Sequence, residues 1–588
     1  MSKLRALRFA LLTAVSVHAA VHQGLDELDA EQDFDFIVVG GGIGGSVVAS
    51  RLSENPDFNV LLVEAGPDND GVLDIAVPGY TDRINSTYDW RFRTEPQIGL
   101  NNRTFSYDRG HVLGGSSSVN SMIYTRGAAE DYDRWAEVTG DSGWTWDALF
   151  PLIKRHEKFV PPPGGRNVTG QYNPDVHGYE GNSLVSLPWS EPTEFDKLCL
   201  KNAEAQKDEF PFNIDQNSGS PVGLTYGIVA WMQSTIGNGE RSSAATAYLG
   251  NDVRARPNLS ILLNTYATRA IPVAHSGEGL DIRTIELAPR RGAGSSVTLT
   301  ARKELILTAG AFGTPHILLN SGIGDREELA DVGVETIHHL PDVGKDLHDH
   351  VFASVMWTNR IPAPRPVSPA QALAEWQANR TGPLTEAAGA GHQVLWSRIP
   401  SDSPIFEEHD DPASGVNAPH IETFLAPSAN FLMSGVVLLT PYSRGTIKLR
   451  SNDPFDPPRI DLALLTHPFD VLALKEGIRN TRRFFSGPVW EGYSLSTFTP
   501  NPDTVPADEY ERYLRGAAGT FGHAVGTASM SAKGSDKGVL DPDLLVKGVS
   551  GLRVVDASAI PFVPAAHSQA AVYILAERAV DLIREAWN

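Results

Sequence analysis

Cysteine is almost absent from the 588-residue chain, where Cys199 stands alone. An intramolecular disulfide and a CxxC zinc or redox site are therefore excluded. Positive charge is scarce too: 49 Lys and Arg face 71 Asp and Glu, a formal net charge of −22. That balance argues against nucleic acid and against anionic membrane surfaces as partners. Long apolar runs are also missing. The stretch 9–17 is too short to span a bilayer, and no later stretch does better. What remains is the composition of an ordinary globular protein, 41% hydrophobic and 20% charged. At this length two or three domains are expected.

Residues 1–20 read as a secretory leader. Lys3, Arg5 and Arg8 form its basic end, 9–17 its apolar core, and Ala19 and Ala20 the small residues before cleavage. Asn-x-Ser/Thr sequences at Asn85, Asn102, Asn167, Asn258 and Asn379 suit a secreted glycoprotein.

The run 34–39 is apolar with β-branched members and ends in Gly40-Gly41-Gly42-Ile43-Gly44-Gly45. A helix-like stretch over 46–52 follows, then a second apolar run, 60–63, closed by Glu64-Ala65-Gly66. Strand, glycine turn, helix, strand and acidic residue make a dinucleotide-binding unit. Gly40, Gly42 and Gly45 let the turn approach a pyrophosphate at the helix N-terminus, and Glu64 is placed to accept ribose hydroxyls. Further strands are expected at 261–263 and 304–308, Pro-rich connections at 161–163 and 362–369, and an amphipathic helix after Ser568.

The second informative run is Gly110 to Asn120, with Gly114-Gly115-Ser116-Ser117-Ser118 at its centre. Two glycines remove side-chain bulk and three serines supply short hydroxyls, so a planar or phosphorylated ligand can lie against it. Far downstream stand His523, in Phe521-Gly522-His523-Ala524, and His567, in Ala566-His567-Ser568-Gln569. A histidine titrates near neutral pH and suits general-base work. Read alone, the two are better taken as a loop residue and a helix cap than as a catalytic pair.

With the glycine turn, the block 110–127, Gly310-Ala311-Phe312-Gly313-Thr314-Pro315 through Gly324, and the block 523–567, the chain resembles the glucose-methanol-choline (GMC) oxidoreductases. These are FAD enzymes that oxidise alcohols. The phrases at 125–127, 130–134, 238–243 and 539–544 are most similar to the fungal aryl-alcohol oxidase and pyranose dehydrogenase group.

The resemblance implies an α/β and α+β fold: a Rossmann-like FAD-binding domain from 31–155, 225–345 and 520–588, and a substrate-binding domain with a large antiparallel sheet from 156–224 and 346–519. It implies FAD held by Gly40, Gly42, Ile43, Gly44, Gly45, Glu64, Ala65, Gly114, Gly115, Ser118, Asn120, Ser121, Asp556, Ala557 and Gln569. Val119 stands where some relatives bond FAD covalently through histidine, so noncovalent FAD is expected. His523 is expected as the base and His567 as the partner that orients the substrate hydroxyl. Both His567 and Gln569 fall where the last helix begins, so its positive end is expected to face the flavin. His338-His339 and His348-Asp349-His350 form a histidine-rich cluster, but similar runs in the family hold no metal. Asp349 and His350 are therefore read as structural hydrogen-bonders, and Cys199 as a buried apolar residue.

Ser121 and Gly522 stand where aryl-alcohol oxidases place aromatic rings, and 426–435 is short for the loop that covers their site. A more open, polar pocket is expected, one that admits sugars as well as aryl alcohols. The substrate is thus a small alcohol, and the acceptor is O2, giving H2O2, or a quinone, as in a pyranose dehydrogenase. Two readings of other classes stay open: a hydroxynitrile-lyase-like lyase, and a non-catalytic FAD-fold binding protein.

Overall fold

The computed structural model describes residues 20–29, 32–222, 227–273, 279–289, 294–362, 367–387, 391–428, 430–493 and 495–587. The leader expected at 1–20 lies outside them except for Ala20, which pairs with Ser260 at a sheet edge. Part of the Pro-rich stretch 362–369 lies outside them as well.

Six parallel strands form the first sheet. Across it the order is Ala20–His22, Leu259–Leu262, Val60–Val63, Phe36–Val39, Glu304–Leu307 and Leu552–Val554. The apolar runs explain this arrangement. Phe36–Val39 and Val60–Val63 are buried at every position, as strands covered on both faces must be. Helix Ile43–Leu52 makes the crossover between them and packs on the last helix, Gln569–Trp587. That crossover helix starts three residues earlier than its sequence predicts. Gly44 and Gly45 lower helix propensity, but packing requires them. A Cβ at Gly44 would lie 1.9 Å from the Val555 carbonyl oxygen, and one at Gly45 would lie 1.9 Å from that of Gly40. Tertiary contact overrides propensity here.

The second sheet is antiparallel, in the order Gly519–Thr520, Val351–Thr358, Phe431–Leu438, Ile421–Pro427, Gln393–Ser397 and Gly227–Trp231. Its edge strand Gly227–Trp231 falls inside the segment 225–345 that the sequence assigns to cofactor binding. Within 426–435, the described residues include the ends of two of these strands, Ile421–Pro427 and Phe431–Leu438, which pair antiparallel. Side chains alternate between the two faces. From one strand, Ile421 and Leu425 enter the core shared with helix Pro468–Phe484, and Thr423 bonds Thr481 of that helix. Glu422 and Phe424 therefore point to the opposite face, where the functional site lies. Cys199 is buried in helix Glu194–Ala205.

Candidate active site

A cavity of about 980 Å³ is bounded by both sheets. Gly40, Gly42, Ile43, Gly44, Glu64 and Ala65 line it from the parallel sheet, and Gly115 to Ser117 from the glycine-serine loop. Asn120, Ser121, Phe424, Phe521, His523, His567 and Gln569 complete the part that carries the titratable groups.

The two glycine loops are joined directly, since the Gly114 amide donates to the Gly41 carbonyl at 2.7 Å. No side chain caps helix Ile43–Leu52 at Gly42. Its first N–H groups are thus open to the cavity, with the positive end of the helix behind them. Uncapped donors on a wall of glycine backbone fit the pyrophosphate of a dinucleotide. Glu64 accepts the Gly41 and Gly66 amides, each at 2.7 Å, which fixes its carboxylate beside the turn. Burial raises its pKa to about 7 against the pull of those amides.

His523 is held on both sides. Phe521 N donates to His350 O at 2.8 Å, and Val525 and His348 exchange two backbone bonds, at 3.0 and 3.1 Å. Between them, the His523 amide donates to Asp349 Oδ1 at 2.8 Å. Asp349 Oδ2 accepts from Tyr107 and Thr520, and Arg109 donates to the Gly522 carbonyl at 2.6 Å. The His523 and His567 ring centroids are 4.7 Å apart at 69°. His567 directs Nε2 at Glu422 Oε1, 2.9 Å away, while its amide donates to Thr125 Oγ1 at 2.8 Å. His350 brings Nδ1 to 2.9 Å from His523 Nδ1. Burial, then His567 and His350, holds His523 well below the usual histidine range.

Family models then place the chain. Residues 34–352 and 441–576 match the N- and C-terminal models of GMC oxidoreductase. The chain is a GMC oxidoreductase. It is an FAD-dependent enzyme of the class that acts on CH–OH groups. It is 40% identical over 596 residues to Pyranose dehydrogenase 3 of Leucoagaricus meleagris, covering 97% of this chain and 96% of that one. To Glucose dehydrogenase (FAD, quinone) of Drosophila melanogaster it is 33% identical, covering 95% and 88%. The structure of a fungal aryl-alcohol oxidase superposes with a TM-score of 0.82 at 26% identity, covering 95% of this chain and 100% of that one.

Most residues singled out in this GMC oxidoreductase reach the cavity, including Asp556 and Ala557. Three do not line it: Gly45, Gly114 and Ser118. Gly45 and Gly114 act through close backbone packing. The Ser118 hydroxyl is buried and donates to the Leu113 carbonyl at 2.8 Å, so Ser116 and Ser117 line the wall instead. Asp556 spends its carboxylate on protein donors: Ser558 N and Oγ at 2.7 and 2.5 Å, Gly310 N at 2.9 Å and Thr314 Oγ1 at 2.5 Å. Asn120 Nδ2 donates to Gln569 Oε1 at 3.2 Å and ties the serine loop to the last helix.

The expectation of a pocket poor in rings is corrected. Phe521 lies 5.0 Å from His523 and 5.3 Å from His567, and Phe424 stacks on Phe521 at 5.7 Å. Gly435, across the sheet, makes room for Phe424, since a Cβ there would lie 2.0 Å from its ring. Phe424, Glu422 and the His350 side chain are the site residues that the sequence reading missed. The Asp349-His350 run gave the only signal for any of them, and it was read as structural.

Proposed function

We propose that this GMC oxidoreductase oxidises a CH–OH group of a sugar, with a quinone as electron acceptor, and that His523 is the base. One observation carries the mechanism: two histidine rings, 4.7 Å apart, share a cavity wall with Asn120 and Gln569. His523 takes the hydroxyl proton, and His567, braced by Glu422, directs that hydroxyl. When bound, FAD supplies the hydride acceptor at N5. The first N–H groups of helix Gln569–Trp587 meet negative charge that develops in the cavity. The pyranose dehydrogenase relative at 40% identity supports the sugar. The Phe424–Phe521 pair supports a second reading, a primary aryl alcohol with O2 as acceptor.

The expected holding groups for FAD are the glycine turn, Glu64 and the 114–121 loop. Val119 lines the cavity and offers no side-chain nitrogen, so FAD is held noncovalently in this reading. The division into segments 31–155, 225–345 and 520–588 against 156–224 and 346–519 is part of the proposal, with Gly227–Trp231 moved to the second group. Secretion is proposed on the leader-like 1–20, and among the described residues no helix is long and apolar enough to cross a membrane.

The test is anaerobic bleaching of the flavin by aldoses and by benzylic alcohols, followed by reoxidation with a quinone or with O2. Bleaching by aldoses and fast return with quinone is the expected result. Bleaching by benzylic alcohols alone supports the second reading, and no bleaching by any alcohol returns the lyase reading.

A further inference from the structure

Beside the Phe521 ring, His523 faces three kinds of polar neighbour. Asp349 and Arg109 hold its backbone, the latter through Gly522, and Tyr107 reaches it through Asp349. His567, with Glu422 behind it, stands against its ring. Only His350 bonds a ring nitrogen, with Nδ1 to Nδ1 at 2.9 Å and the rings at 80°. Among the described residues Nε2 of His523 has no hydrogen-bond partner.

A bond between two imidazole nitrogens needs one donor and one acceptor. If His350 donates, His523 carries its proton on Nε2 and has no lone pair there for a substrate hydroxyl. If His523 donates, Nε2 is free to accept. We propose that His350 is a positioning residue, whose Nδ1 accepts from His523 Nδ1–H and thereby holds His523 in the tautomer that leaves Nε2 free as base. This rests on the reading of His523 as the base. During turnover the substrate O–H bond breaks and an N–H bond forms at Nε2. The Nδ1–H stays in place, and its bond to His350 strengthens because the donor has become a cation. An acceptor that stays neutral is required for this, and burial presses His350 to about 3, with His567 beside it adding to the effect.

The decisive experiment compares His350→Phe, which cannot accept, with His350→Gln, whose side-chain oxygen can. Both are made in the FAD-loaded enzyme. Anaerobic flavin reduction is followed from pH 5 to 9, and the wild-type His523 tautomer is read from 15N shifts of histidine-labelled protein. Expected are an Nδ1–H signal for His523, a loss of about 100-fold or more in reduction for His350→Phe, and recovery to within about tenfold for His350→Gln. Substrate affinity should change by less than about threefold. An Nε2–H signal in the wild type, or equal losses in both variants, overturns the proposal. If His350→Phe does not fold, the 15N spectrum decides alone. A His523→Ala enzyme that keeps its reduction rate sinks the base assignment, an outcome separate from the tautomer result.

Discussion

Glu422 Oε1 lies 2.9 Å from His567 Nε2, and the Glu422 side chain is completely buried. That contact fixes which nitrogen of His567 carries its proton and leaves Nδ1 for the substrate side. Replacing Glu422 with Gln keeps the shape and removes the charge from a charge-assisted bond. Flavin reduction is expected to slow by about 10–100-fold, or about 1.4–2.8 kcal/mol, with FAD content unchanged. Stopped-flow reduction by the best substrate checks this, and an unchanged rate rejects an orienting role for Glu422.

Removing the proposed base has a larger expected effect. His523→Ala should lose about 10²–10⁴-fold in flavin reduction while retaining its fold. A circular dichroism spectrum equal to wild type, alongside the lost rate, separates chemistry from misfolding. Full activity would instead favour a binding protein on this fold.

The acid limit of stability follows from the buried histidines. His350 is pressed to about 3, and His348 and His523 well below 6.5, in each case chiefly by burial. In the unfolded chain each titrates near 6.5, so below that pH the unfolded state binds more protons and stability falls. Each ring contributes up to about 1.4 kcal/mol per pH unit until the folded value is passed. Glu64, raised to about 7, acts in the opposite sense: its contribution is full below about 4.5 and lost as pH rises through 7. Burial also lowers His156 to about 3, His316 to about 4 and His420, whereas His177, His392 (to about 10) and Asp131 (to about 6) are raised and act with Glu64. The six lowered rings outweigh these opposing groups between pH 7 and pH 5. Urea midpoints should therefore drop from pH 7 to pH 5, and an equal midpoint at both would contradict the burial effect. In the same range flavin reduction should show no limb from titration of His523.

Gly45→Ala tests the glycine turn without touching the cavity. The new methyl meets the Gly40 carbonyl oxygen, 1.9 Å away, so the turn must move. A loss of about 1–3 kcal/mol in stability is expected, as for other overpacked sites. The ratio of flavin to protein absorbance after purification should fall with it.

Asn258 should carry no glycan. Its Nδ2 donates to the carbonyls of Ser53, Asn55 and Phe58 at 3.1, 2.9 and 2.9 Å, and Ser260 of its sequon is buried in the parallel sheet. Asn85, Asn102, Asn167 and Asn379 are exposed. Glycopeptide mass spectrometry of protein secreted from a eukaryotic host should find sugar only among those four.

The dinucleotide unit was legible because its signals are local: two short apolar runs, a glycine turn and an acidic residue within about thirty positions. The histidine pair was legible through resemblance, since residues 44 positions apart say nothing of distance by themselves. Phe424 and Glu422 escaped for a physical reason. Their importance depends on which face of a strand meets the site, and that is settled by pairing with Phe431–Leu438 and by packing on helix Pro468–Phe484. The missing aromatic positions were counted along the chain, whereas the rings arrive from a neighbouring residue, Phe521, and from another strand. Ser118 failed through local competition, because a short hydroxyl bonds the nearest backbone carbonyl before it reaches a ligand.

The parallel sheet takes its last strand, Leu552–Val554, from the far end of the chain, beside Glu304–Leu307. While the chain is being made, the Glu304–Leu307 edge therefore waits about 245 residues for its partner. At 5–20 residues per second that is roughly 10–50 s of exposed strand edge on the ribosome, apolar at three of its four positions. The enzyme is thus most vulnerable to aggregation before residues 552–554 have been translated, and chaperone supply during synthesis should govern its yield.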